Sequence, residues 1–271
     1  MEKSIFSFVF LLLACFASAQ PGIYDSKTRQ PLPYLNVVVK SRKFFTSTND
    51  QGRLETAGLK YGDTLTVNAL NYDAQNVLYA PGLDSIFLKN VPIQLSELVI
   101  EKRRKEYVKT GFLEGKYPMQ QNIEEPYIGK YYPPIDLYKS YPYLNKFKVK
   151  TFNTIKGQYI NITLWEATKD GLPGKPIYDK NLIYKIGKGY KIVEVDLSKE
   201  NVVIPQYGFF ILFERVMMGD VNLDCPPNVT MYRNPDPKEP VNVCSMNPDG
   251  TGFIWADETP HTMAIELELS N

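Results

Sequence analysis

Apolar and polar positions alternate with a period of two along much of this chain, which is the pattern of strands that bury one face. Leu65, Val67 and Ala69 alternate with Thr64, Thr66 and Asn68. Ile160, Ile162 and Leu164 share one face of residues 159–165, and Phe147, Val149 and Thr151 alternate in the same way. Residues 191–197 place Ile192 or Val193 with Val195 and Leu197, and residues 263–269 alternate cleanly. Other segments are continuous. Residues 36–40 are a β-branched run after a Pro-Leu-Pro entry, as expected of a buried strand that begins past its prolines. Residues 208–214 are almost wholly apolar, which predicts a central strand covered on both faces. Short segments at 76–79, 85–88, 182–186 and 252–255 read as further strands. Asn49-Asp50-Gln51-Gly52, Lys60-Tyr61-Gly62-Asp63, Pro81-Gly82 and Asp170-Gly171-Leu172-Pro173-Gly174 are turn clusters between them. No long helical period is present, so the chain is expected to be all-β.

Residues 22–98 carry a more specific signal. Gly22, Asp25, Thr28, Pro31 and Leu32 lead into the strand of Asn36, Val37 and Val39. Thr48, Asp50 and Gly52 mark a hairpin, and Gly62, Asp63, Leu65 and Tyr72 follow. This series resembles the carboxypeptidase-regulatory-like domain, a transthyretin-like (prealbumin-like) β-sandwich. Asn71 stands where glycine is common in that family, and Leu54 where an aromatic residue is usual. The resemblance implies a small sandwich over residues 20–100. It also implies an accessory module without catalytic residues, of a kind common in exported envelope proteins of one Gram-negative lineage and found at the front of TonB-dependent outer-membrane receptors. Residues 95–100 resemble the exit strand of those receptors, but 271 residues are too few for the receptor barrel.

Residues 1–19 read as an export signal: Lys3, an apolar run over 5–16, then Ala17-Ser18-Ala19 with Gln20 as the expected mature N-terminus. The run falls short of the ~20 apolar residues that span a bilayer. Leu12-Leu13-Ala14-Cys15 offers a second reading, a lipobox with Cys15 as a lipid anchor. Either reading places the protein in the periplasm, at the outer-membrane face or on the cell surface. The formal net charge of +1 gives no electrostatic case for nucleic acid.

Residues 101–143 are expected to be a connector. They open on the charge cluster Glu101-Lys102-Arg103-Arg104-Lys105-Glu106 and continue through repeated Tyr-Pro pairs, including Tyr131-Tyr132-Pro133-Pro134. Proline interrupts ladders, so an extended strap is expected, and its tyrosines Tyr131 and Tyr132 are candidates for a binding face. Residues 144–271 are expected to form a second sandwich. Its Leu-Trp-Glu strand end, Asp-Gly-Leu-Pro-Gly-Lys-Pro turn and Pro-x-x-Gly-Phe-Phe strand resemble jelly-roll modules of exported bacterial proteins, several of which bind carbohydrate or act in adhesion. An immunoglobulin-like sandwich fits the same strand pattern.

Candidate chemistry is sparse. Cys225 and Cys244 are the two cysteines that remain after signal cleavage, and in an oxidising compartment the pair implies a disulfide. It would close a proline-rich loop and stabilise the fold by ~3 kcal/mol on the chain-entropy model. His261 is the only histidine, too few for a histidine-rich zinc centre, and no Gly-x-Ser-x-Gly elbow accompanies it. Asp220, Asp224, Asp249, Asp257 and Glu258 could supply a glycosidase pair. Gly219-Asp220-Val221-Asn222-Leu223-Asp224 has alternating oxygen ligands suited to a structural calcium, without the closing Glu of a twelve-residue loop. Trp165 and Trp255 are the two large flat faces, able to stack on sugar rings or to pack a sheet. No cofactor is expected. The expectation is therefore a protein that is not an enzyme: an exported envelope module that binds or scaffolds a protein partner, with glycan binding or adhesion as the alternative and a hydrolase as the third reading.

Overall fold

The computed structural model describes residues 20–42, 44–91, 106–114, 127–153, 156–216, 228–229, 231–233, 243–246, 253–255 and 261–271. The expected signal segment with Cys15, Cys225, the calcium-type loop at 219–224 and the carboxylates Asp249, Asp257 and Glu258 lie outside these residues. Cys244 and His261 are described in their backbone only.

The architecture is all-β, as two sandwiches. The first contains β1 (Gly22–Asp25), β2 (Asn36–Val39), β3 (Phe44–Ser47), β4 (Thr64–Val67), β5 (Gln75–Leu78) and β6 (Ser85–Leu88). β1 and β6 pair in parallel, bringing Ile23 beside Ile86, while β3-β2-β4-β5 form an antiparallel sheet. The alternation in β4 is realised as expected, with Leu65 and Val67 fully buried. Between the two sheets Ile23, Val37, Val39, Leu54, Leu65, Val67, Ile86 and Leu88 form one core. Leu54, at the position where an aromatic residue is usual, is wholly enclosed in it.

Asp25 closes β1. Its Oδ1 accepts from the amides of Thr28 at 2.6 Å and Lys27 at 2.8 Å, and its Oδ2 from the Tyr72 hydroxyl at 3.1 Å. These donors, the Thr28 amide foremost, hold the carboxyl below its usual range even though burial pushes the other way. Tyr72 is thereby fixed, and with it the turn at Asn71. Asn71 has φ of 69°, the left-handed conformation that glycine adopts freely and that Asn tolerates better than other residues. The asparagine also does what glycine cannot, donating Nδ2 to the Asp179 carbonyl of the second sandwich at 2.6 Å. Asn71→Gly is expected to keep the turn and lose one hydrogen bond, ~1 kcal/mol. Asn71→Ala loses the same bond and adds the left-handed penalty of roughly 1–2 kcal/mol. Urea denaturation of the two variants should show Ala as the more damaging.

The second sandwich is built from longer strands. One sheet has β7 (Tyr107–Gly111), β9 (Tyr143–Asn153), β13 (Gly189–Asp196) and β20 (Ile265–Ser270) in the order β13-β9-β20-β7, with the short β15 (Asn228–Val229) also on β9. The facing sheet runs β11 (Pro173–Pro176), β10 (Gln158–Ala167), β14 (Phe209–Val216), β8 (Tyr127–Tyr132), β17 (Val243–Met246), β18 (Phe253–Trp255), with β12 (Leu182–Ile186) on the same edge of β10 as β11. β16 (Met231–Arg233) pairs separately with β19 (His261–Met263). A short α-helix, α1 (Asp136–Ser140), carries Tyr138 into the core. Phe147, Ile162, Leu164, Phe209, Phe213 and Leu267 meet between the sheets.

Two of these strands arise from the stretch expected to be a connector. β7 pairs with β20, and β8 lies between β14 and β17. Proline does not interrupt β8, whose last residue, Tyr132, immediately precedes Pro133.

Candidate functional site

The site is the outer face of the β10-β14-β8 sheet, where the first sandwich docks. Period-two alternation sends Ile160, Ile162 and Leu164 of β10 inward and leaves Asn161, Thr163 and Trp165 facing out. In β14 Phe209, Ile211 and Phe213 go inward, and Phe210, Leu212 and Glu214 face out. The register then stacks three rows across three strands. Asn161, Glu214 and Tyr127 lie in one row, Thr163, Leu212 and Gly129 in the next, and Trp165, Phe210 and Tyr131 in the third.

Glu214 is the centre of the polar row. Its Oε1 accepts from the Tyr127 hydroxyl at 2.6 Å and from Asn36 Nδ2 at 3.0 Å, and its Oε2 accepts from Asn161 Nδ2 at 2.7 Å. Asn36 opens β2, so this contact ties the two sandwiches together. Its Nδ2 also donates to the Arg215 carbonyl at 2.6 Å, and its Oδ1 accepts from the Ser47 hydroxyl. Tyr34 stacks on Tyr159 at 4.9 Å between ring centres beside this contact. Burial pushes the Glu214 carboxyl above its usual range, and the Tyr127, Asn161 and Asn36 hydrogen bonds oppose that shift only in part. Burial likewise pushes the Tyr127 phenol well up, reinforced by the adjacent carboxylate.

Next to this contact the sandwiches leave a cavity of about 470 Å³, within the range of small-ligand sites. The first sandwich contributes Asn68, Asn71, Tyr72 and Asp73; the second contributes Asn161, Thr163, Trp165, Asn181, Leu212 and Glu214. No Lys, Arg or His lines it among the described residues. Trp165 packs against Phe210 and Leu212, and its indole Nε1 donates to Thr163 Oγ1 at 3.0 Å, which fixes the ring in the cavity wall. Asn161 Nδ2 donates also to Asn181 Oδ1 at 2.8 Å, while Asn161 Oδ1 is buried without a donor. Asn71 Oδ1 is in the same condition.

The residues singled out in the sequence separate in the structure. Trp165 lines the cavity. Tyr131 sits in the same row, stacked on Phe210 at 4.9 Å with its hydroxyl donating to the Tyr207 carbonyl at 3.0 Å. Tyr132 points to the opposite face, buried in the core and stacked on Phe209 at 4.8 Å, because adjacent strand residues alternate. Trp255 lies on β18, where only the backbone is described. Of the residues at the cavity and the contact beside it, Glu214 and Asn161 carried no motif, while Asn36 and Asn71 stood out only as positions of the family resemblance. One signal was available for Glu214: an acidic residue ending an otherwise apolar run.

No protein-family model and no curated protein matches the chain. Among the solved structures similar to it are two of Cwp84. The first is the clostridial cysteine protease after propeptide cleavage, at 10% identity and TM-score 0.43, covering 88% of this chain and 64% of that one. The second comprises the cysteine protease and lectin-like domains of the same protein, described as surface-layer associated, from Clostridium difficile, at 9% identity and TM-score 0.40, covering 88% and 57%. The chain thus spans less than two thirds of the length of either. The expectation of a protein that is not an enzyme is corrected here, because both neighbours are cysteine-protease structures. A likeness of this extent carries no argument for any particular activity in this chain.

Proposed function

We propose that this is an exported binding protein that takes a short glycan in the cleft between its two sandwiches. The observation that carries the reading is the cavity itself: one wall holds the fixed indole of Trp165, and the remainder presents amides, hydroxyls and carboxylates. Sugar rings have apolar C–H faces and equatorial hydroxyls, so they call for that pairing of an aromatic plate with short polar side chains. Export is supported by the sequence of residues 1–19.

The glycan reading takes precedence over a protein partner because the recognition chemistry is concave. A protein partner would call instead for an exposed apolar face or a free sheet edge. Trp165→Ala is expected to weaken glycan binding about tenfold, equivalent to ~1.4 kcal/mol, while leaving the fold intact. Isothermal titration against the best ligand of a glycan array measures this. Unchanged affinity in the variant would place the ligand elsewhere.

A further inference from the structure

Glu214 is an enclosed acid whose hydrogen-bonding partners among the described residues include no cation. Those partners, Asn36, Tyr127 and Asn161, are all neutral. An enclosed carboxylate without a cation is strongly disfavoured relative to one in water. The cavity beside it adds to the imbalance, since Asp73 is a second acid and no described lining residue is basic. Lys89 lies 3.7 Å from Asp73, but both are largely exposed and Lys89 is outside the lining. The hydrogen-bonding inventory has the same sign. Asn161, only 4% exposed, and Asn71 both line the cavity, and each holds an enclosed Oδ1 that accepts no hydrogen bond. The cleft therefore offers acceptors, negative charge and an aromatic face.

We propose that the ligand of this cleft carries a positively charged amine, as an amino sugar with a free ammonium group does. The inference rests on the glycan reading above and narrows it. An ammonium supplies three donors and no acceptor, which suits a lining that holds Glu214 and Asp73 and no described cation. Its charge compensates the enclosed Glu214, and an indole face attracts cations as well as sugar C–H groups. An N-acetylated sugar is neutral and leaves Glu214 uncompensated. An acidic sugar places a second negative charge in the same enclosure.

The test is isothermal titration of the purified full chain with four probes: a β-1,4-glucosamine tetramer, its fully N-acetylated counterpart, a galacturonic acid tetramer, and putrescine as an amine without a sugar. The glucosamine tetramer is expected to bind at least about tenfold tighter than the N-acetylated one, with no measurable uronate binding. Glu214→Gln is expected to shrink that preference to less than about threefold. Should that variant fail to fold, Asp73→Asn, at an exposed position, is expected to reduce the preference by about twofold. Equal or tighter binding of the N-acetylated tetramer overturns the inference and leaves the glycan reading standing, as does a preference that Glu214→Gln and Asp73→Asn both leave unchanged. Binding of putrescine with no glycan bound upholds the cation and overturns the glycan. Failure of all four probes to bind overturns both.

Discussion

Glu214→Ala lowers the stability of the protein by about 2–3 kcal/mol and loosens the contact between its two sandwiches. The substitution removes the acceptor for three donors, but the three do not lose equally. Asn36 Nδ2 keeps the Arg215 carbonyl, and Asn161 Nδ2 keeps Asn181 Oδ1. The Tyr127 hydroxyl loses its acceptor outright and is left part-buried. One complete and two partial losses, less the relief of an enclosed charge, give the net figure. An Asn36/Glu214 double-mutant cycle in urea should return a coupling of at least ~1 kcal/mol, and a coupling near zero would deny that this contact joins the sandwiches. The pH dependence has a defined sign. The Glu214 carboxyl is raised in the folded state relative to its ordinary value, so its stabilising contribution is fully present below the ordinary carboxylate range. That contribution is lost as pH rises through the elevated value. Comparing wild type with Glu214→Gln from acid to neutral pH isolates the slope, and a contribution that grew with pH would contradict it.

Gly208→Ala is expected to be more damaging still, by ~3 kcal/mol or enough to prevent folding. Gly208 precedes β14 with φ of 85°, a left-handed conformation that alanine adopts only under strain. A Cβ at this position would stand 2.1 Å from the Tyr132 carbonyl oxygen, and that oxygen belongs to backbone at the end of β8. The only relief is to part β14 from β8 at the Phe209–Tyr132 pair, next to the row of Trp165, Phe210 and Tyr131. Gly171→Ala is the control. Its φ is also positive, at 75°, but nothing lies within 4 Å of the added atom. Thermal denaturation should show a much smaller loss for Gly171→Ala, and equal losses would remove the steric argument.

The strands of the first sandwich were largely legible because each is short, apolar or alternating, and bounded by turn residues. β6 falls where the sequence places it, β5 begins one residue early, and β4 stops at Val67 before the turn at Asn71. β8 was hidden by a compositional rule. Tyrosine and proline read as an extended strap, yet a strand of six residues fits between Pro126 and Pro133. Its discovery also divides Tyr131 from Tyr132, since neighbours in a strand cannot share a face. Trp165 was visible as a flat ring on an alternating strand. The polar half of the cleft was not, because Asn36 meets Glu214 across 178 positions, and no local pattern encodes such a contact. Only the charge at the end of the apolar run pointed to it.

The central claim is that the cleft between the sandwiches is the binding site. The most direct measurement follows side-chain and indole N–H resonances of the isotopically labelled chain by heteronuclear NMR during titration with the best-binding glycan. The Trp165 indole signal and the Asn161, Asn71 and Asn181 amide signals should shift together and saturate at one affinity, because all four line one cavity. The backbone signals of Lys146, Lys148 and Glu194, on the outer face of the other sheet, should remain still. Shifts confined to that outer face, with the four cleft signals unmoved, would contradict it.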